Sequence, residues 1–153
     1  SLLDTFREAG LPVIWTRHVH PPGDPGSTIG HFFGHLLVKE DPLSELEQGW
    51  SPGKRERVVD KSRHSAFSSP VLSELLEQMG VQVVVLAGVQ THLCVLATAV
   101  EAGTRDVLPV VALDATAAPT AGLHRASLEA LSGGLAWAAT VDEIARAIEE
   151  RRP

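Results

Sequence analysis

Short apolar runs of strand length alternate with amphipathic segments of helix length along most of the chain, and no other feature restricts the fold as tightly. Leu2 to Ala9 reads as a short helix closed by Gly10, and Pro12 to Thr16 as an apolar strand entering Arg17-His18-Val19-His20. Arg57-Val58-Val59-Asp60 reads as a strand ending at Lys61. Ser69 and Pro70 open a helix as N-cap and first helical residue, with Val71, Leu72, Leu75, Leu76 and Met79 on its inner face. Val83 to Leu86 reads as a buried strand, and Thr91 to Ala102 as a helix with Thr91 as N-cap. Val107 to Asp114 is a further strand, although Pro109 removes one of its ladder hydrogen bonds. Pro119 to Leu131 is a helix whose stripe is Leu123, Ala126, Ala130 and Leu131, and Leu135 to Ala139 is a short last strand. Thr140 to Glu150 closes the chain as a helix with a Thr140–Glu143 capping box. Such alternation implies an α/β fold, a mainly parallel sheet with helices on both faces.

One domain is expected, because 153 residues can bury roughly two-thirds of the surface their unfolded chain exposes. The stretch from Pro21 to Arg55, rich in Gly and Pro, is too long for a simple connector and is expected to be a lid or an interface loop. The formal charge of −6 is spread along the chain without a basic block, which argues against nucleic acid as a partner. The apolar runs fall far short of a membrane span, and the first residues read as an amphipathic helix rather than a signal peptide. A single cysteine permits no internal disulfide, which fits a cytoplasmic setting.

That cysteine, Cys94, falls in the first turn of the helix after the Val83 strand, where unpaired N–H groups and the helix dipole favour a thiolate. In a parallel sheet, sites gather at the carboxyl ends of the strands. Three of those ends carry reactive groups here: His18 and His20, then Lys61, then Cys94. An ammonium about 4 Å from a sulfur, at an effective dielectric near 20, offers roughly 4 kcal/mol of attraction before desolvation. On spacing alone, Lys61 is equally a solvated lysine and Cys94 a small buried hydrophobe.

The residues around the pair are more specific. Val58-Val59-Asp60-Lys61-Ser62-Arg63-His64-Ser65-Ala66-Phe67 is followed further along by Gly88-Val89-Gln90-Thr91-His92-Leu93-Cys94-Val95-Leu96-Ala97-Thr98-Ala99. The two segments together resemble the isochorismatase-like cysteine hydrolases: a lysine shortly before Ser-Ala-Phe, then Gly-Val-x-Thr-x-x-Cys-Val-x-x-Thr-Ala. Val111 to Ala115 and the helix holding His124 match the family's downstream layout, so the resemblance covers nearly the whole chain.

The resemblance implies a three-layer α/β/α fold with a Rossmann-like strand order, and a Cys–Lys–Asp triad. Cys94 would be the nucleophile and Lys61 the group that steadies its thiolate. A cis peptide would fall between Val89 and Gln90, aiming the N–H groups of Gln90 and Cys94 at an oxyanion. The triad aspartate would lie at the end of a first, central strand upstream of the segment that matches Leu2–Ala9. No residue in this numbering stands there: Asp4, Asp60 and Asp114 all fail to match. An N-terminally incomplete domain is therefore expected, with an interruption in the sheet beside the Cys94 strand.

His20, Phe67 and Thr91 are the expected substrate contacts. No cofactor is expected and no metal site is assigned; His18 stands where related nicotinamidases place a metal-binding aspartate, and His31 and His35 are the remaining candidates. His92 is read as a lip or subunit contact, Trp15 and Trp137 as core, and His124 as exposed. The expected activity is hydrolysis of a small-molecule C–N bond, in an amide, ureido or carbamoyl compound, by a homo-oligomer, dimer or tetramer. The alternatives are an isochorismate-type vinyl-ether hydrolase, and an inactive homologue serving as a binding or assembly subunit.

Overall fold

A computed structural model describes residues 1–47 and 49–151; position 48 of the long loop and the last two residues lie outside the described set. The chain forms α1 (Leu2–Glu8), β1 (Ile14–His18), α2 (Ser27–Phe33), β2 (Arg57–Lys61), α3 (Pro70–Gln78), β3 (Val83–Val89), α4 (Leu96–Thr104), β4 (Leu108–Ala117), α5 (Ala121–Ala130), β5 (Trp137–Ala139) and α6 (Val141–Glu149). It is an α/β fold in which every strand pairing is parallel. Polar caps set the helix starts where the sequence provides them. Ser1 and Asp4 box the start of α1, Thr120 accepts from Leu123, and Thr140 with Glu143 boxes α6. Ser69 occupies the cap position of α3 without using its side chain there, and Pro70 alone begins that helix.

The strands form two blocks. β1 pairs with β2, in a register that sets His18 opposite Lys61, and β3 pairs with β4, which pairs with β5. Among the described residues the two blocks do not pair with each other, and β3 has β4 as its single strand partner.

Two apolar clusters meet at α4. Val59, Ala66, Phe67, Leu72, Leu76 and Ala102 form one, and Val95, Ala99, Val111 and Leu131 the other. Ala99 and Ala102 are both fully buried, and their small size lets the helix sit close to both clusters. The turn that carries Cys94 therefore leads directly into a helix anchored in both clusters.

Several expected core residues face water instead. Val71 and Met79 lie on the outer side of α3, and Leu123 on the outer side of α5, where Leu128 does the packing. Trp137 is 71% exposed because β5 is a three-residue edge strand with β4 on one side only. Trp15 is half-buried, its indole N–H donating to Glu56 at 2.6 Å. β4 runs three residues past the expected Asp114, after a register shift between Leu86 and Gly88 in its partner.

The Pro21–Arg55 loop holds α2 and a short turn at Pro42–Ser44, and is tied down by the His20 N–H donating to the Leu37 carbonyl at 2.7 Å. Gly26 sits at φ 67°, and the Leu36 side chain occupies the space a Cβ would need, so this turn requires glycine. Phe32, Leu43 and Trp50 on the loop are exposed. Among the described residues no helix is long and apolar enough to cross a membrane.

Candidate active site

The β1–β2 register delivers Lys61 to the carboxyl rim as the last residue of its strand, 5% exposed. Its Nζ donates to the Arg63 carbonyl at 2.9 Å, and contacts Cys94 Sγ and His18 Nδ1, each at 3.4 Å. An ammonium has three hydrogens, and all three are committed. Burial holds the Lys61 ammonium below its ordinary range, and the Cys94 sulfur opposes that effect.

β3 supplies the cysteine. The strand ends at Val89, the Val89–Gln90 peptide is cis, and the N–H groups of Leu93 and Val95 then both donate to the Gln90 carbonyl at 3.1 and 3.2 Å. The bond from Val95 spans five residues, so Thr91–Val95 is a π turn preceding α4. Thr91 is not the N-cap. Gln90 holds that position, and the Thr91 hydroxyl is paired with His124 Nδ1 of α5 at 2.9 Å. His124 is accordingly half-buried and structural, not free on an outer face.

A hydrogen bond joins the two halves of the sequence pattern. The Ala66 N–H of Ser65-Ala66-Phe67 donates to the Thr98 hydroxyl of α4 at 2.9 Å, in a buried position. It ties the loop after Lys61 to the helix after Cys94. On that loop His64 Nδ1 lies 4.0 Å from Cys94 Sγ, and the Phe33 ring stands edge-on to the His64 ring at 6.1 Å.

Behind Lys61 runs a line of polar contacts. His18 Nε2 meets His20 Nε2 at 3.1 Å, and His20 Nδ1 meets Asp24 Oδ2 at 3.1 Å. Asp24 also accepts from Arg63 Nη1 and Nη2 and from the Gly26 N–H. One assignment of hydrogens satisfies every pair. Lys61 donates to His18 Nδ1, His18 Nε2–H donates to His20, and His20 Nδ1–H donates to Asp24. Burial, then the nearby Lys61 charge, pushes the His18 imidazolium down to about 4, which agrees with its role as acceptor. The Arg63 guanidinium, the Gly26 N–H and His20 hold the Asp24 carboxyl far below the usual range.

The structure thus brings Lys61 and Cys94 together and buries the three expected substrate contacts. His20 is 1% exposed and enclosed by His18 and Asp24, Thr91 is fully buried, and Phe67 packs in the core with the Arg105 guanidinium over its ring at 4.9 Å. None of the three presents a free face to a substrate. His35 pairs with Asp41 at 2.8 Å on the loop. Asp60 pairs with Arg17, Asp114 accepts from the Val141 N–H, and Asp4 caps α1. Among the described residues no carboxylate forms an ion pair with Lys61. His64 and Asp24 were missed as site residues. The available signal for His64 was its place three residues after Lys61, in a loop that must follow the strand onto the same rim. A groove between Gly103, Asp106, Pro109, Leu135 and Trp137 lies by the amino ends of β4 and β5, away from this rim.

Parallel strands with a lysine–cysteine contact at their carboxyl rim place the molecule among the α/β proteins. More narrowly, the chain belongs to the isochorismatase family, whose Isochorismatase domain model matches residues 1–143. It is 35% identical to nicotinamidase 3 of Arabidopsis thaliana over 97% of this chain and 76% of that protein. N-carbamoylsarcosine amidase from Thermoplasma acidophilum superposes with a TM-score of 0.78 at 30% identity, over 92% of this chain and 79% of the other. A cysteine hydrolase from Pseudomonas syringae pv. phaseolicola superposes with a TM-score of 0.89 over 97% and 77%; at 24% identity it shows the fold alone. Two other curated relatives are spanned over only 55% and 47% of their lengths.

Proposed function

We propose that this chain hydrolyses a C–N bond in a small amide, ureido or carbamoyl compound through a thioester on Cys94. The observation that carries the reading is the 3.4 Å contact between Lys61 Nζ and Cys94 Sγ at the carboxyl rim. The ammonium is the counter-charge for a thiolate that attacks the carbonyl carbon. The backbone N–H groups of Gln90 and Cys94 are the proposed donors to the oxyanion. The amine departs, and water attacks the thioester to release the acid and restore the thiol. The naming of the relatives as a nicotinamidase and an N-carbamoylsarcosine amidase supports amide chemistry on small substrates. The exposed Phe32, Leu43 and Trp50 support the long loop as a lid or as a contact between copies in a homo-oligomer.

The test is release of ammonia or amine from nicotinamide, N-carbamoylsarcosine and a panel of small primary amides, by the parent chain and by Cys94→Ala. Turnover by the parent and none by the variant is expected. Turnover that survives Cys94→Ala would point to chemistry independent of the thiol, as the vinyl-ether reading requires. Saturable binding of these compounds without turnover would favour a binding subunit.

A further inference from the structure

We infer that His124 is a positioning residue for this site: through its hydrogen bond to Thr91 it holds the turn that sets Cys94 against Lys61 and aims the N–H groups of Gln90 and Cys94. The inference rests on the hydrolase reading for the reaction it serves, and on the geometry of the turn for the role itself.

Thr91 opens a helical run, where a threonine hydroxyl ordinarily accepts from the first N–H groups of its own helix. Here it does not cap. Gln90 takes the cap position, and the Thr91 hydroxyl reaches instead to His124 Nδ1, 2.9 Å away on α5 and 33 positions later in the chain. Thr91 is fully buried, so this partner keeps its hydroxyl from being stranded away from water. Either ring tautomer forms the bond, the hydroxyl donating to a bare Nδ1 or accepting from Nδ1–H.

The turn depends on support from outside itself. Its Leu93 and Val95 N–H groups share one carbonyl, that of Gln90, and the Leu96 N–H reaches back five residues to the Thr91 carbonyl. Such π turns are rare and recur at functional sites. At the far end, Val95 lies in the cluster of Ala99, Val111 and Leu131, against which Leu128 of α5 also packs. At the near end the anchor is the Thr91–His124 bond. Cys94 lies between these anchors in the chain, and Gln90 directly precedes Thr91.

The helix that presents His124 is itself well fixed. Thr120 caps α5 by accepting from the Leu123 N–H, Ser127 Oγ donates to the Leu123 carbonyl at 2.7 Å, and Leu131, just past its end, is fully buried. Lys61 and His124 divide the work. Lys61 meets the sulfur from the end of β2, and His124 holds, from α5, the backbone that carries the sulfur. A loosened turn would shift Sγ from Nζ and turn the two N–H groups off a common point, and displacements near 1 Å at a reacting centre are costly in rate.

The test compares the parent with His124→Leu, His124→Asn, Thr91→Val, the double variant His124→Leu/Thr91→Val and, as a control on the same helix, Arg125→Gln. Leucine fills space without a polar atom, whereas asparagine carries one as many bonds from the backbone as Nδ1. Thr91→Val keeps the shape of the buried residue and carries the test independently of His124. The readouts are alkylation of Cys94 by iodoacetamide at pH 7, kcat and KM for an amide that the parent turns over, and the urea midpoint.

His124→Leu and Thr91→Val are each expected to slow alkylation fivefold or more. Each should also lower kcat tenfold or more with KM within twofold, because the aimed N–H groups act on the transition state. His124→Asn should return to within threefold of the parent, and Arg125→Gln should match it. The double variant should be no slower than the slower single one, since the two residues share one bond. Parent-like rates in His124→Leu and Thr91→Val would overturn the inference. So would losses that multiply in the double variant, or losses that follow the urea midpoint and that asparagine does not repair; either would leave His124 a contact of the fold alone. Alkylation needs no amide turnover, so if its pattern holds while no amide is hydrolysed, the hydrolase reading fails and the positioning role stands.

Discussion

Lys61 Nζ and Cys94 Sγ stand 3.4 Å apart although they are 33 positions apart in sequence, one at the end of β2 and the other in the turn after β3, two strands that do not pair with each other. Nothing local holds them there. The lysine is placed by the β1–β2 register and the Arg63 carbonyl, the cysteine by the turn at Gln90, and the Ala66–Thr98 hydrogen bond spans the two. Lys61→Met keeps the length and apolar stem of the side chain and removes the charge. It is expected to slow alkylation of Cys94 at pH 7 by about tenfold or more, a factor equal to ~1.4 kcal/mol of lost attraction. Unchanged alkylation would mean that the ammonium does not act on the sulfur.

Thr98 should show the value of that bridge. Thr98→Val leaves the Ala66 N–H buried without an acceptor, at a cost of about 1–3 kcal/mol in unfolding free energy, whereas Thr98→Ser should recover most of it. Urea denaturation measures both. The valine variant should also alkylate more slowly at neutral pH, because the loop holding Lys61 and His64 loses its tie to α4.

His18 makes stability depend on pH. Its folded-state value lies near 4 and its unfolded value near 6.5, so between these limits the unfolded chain binds more protons than the folded one. Stability is therefore expected to be level above about pH 7 and to fall as pH drops from 6.5 towards 4. His18→Gln should reduce that slope without abolishing it, because His64 is shifted in the same direction. Denaturation midpoints at pH 7.5, 6, 5 and 4.5 give the comparison, and identical slopes would remove His18 from the explanation.

Glu56 joins the amino-terminal helix to the β1–β2 block. Its carboxylate accepts from Arg7 Nε at 2.7 Å, Trp15 Nε1 at 2.6 Å and the Gly53 N–H at 2.8 Å. Those donors, Arg7 first, hold its pKa down to about 2, so the carboxylate is charged throughout the His18 window. Glu56→Gln is expected to lower stability by roughly 1–3 kcal/mol in urea denaturation, with Cys94 alkylation at pH 8 unchanged.

The strand–helix order was legible because periodicity and caps are local, and the Lys61–Cys94 pair because its flanking residues have a recognisable pattern. What stayed hidden depended on distant partners. The π turn at Thr91–Val95 exists because one carbonyl, that of Gln90, accepts two N–H groups, and no residue type announces that. His20 read as a substrate contact because its strand end points to the rim; His18 and Asp24 enclose it, and Arg63, from the loop after β2, holds Asp24 in place. Trp137 read as core because a bulky ring on an apolar strand is usually covered, but its strand is the sheet's edge.

The most direct test of the central claim is mass spectrometry of the intact chain, quenched in acid during incubation with a small amide that it turns over. A covalent adduct with the mass of the acyl group, located on Cys94 by peptide mapping and absent from Cys94→Ala, is the expected result. Turnover with no adduct on Cys94, or with the adduct on another residue, would contradict it.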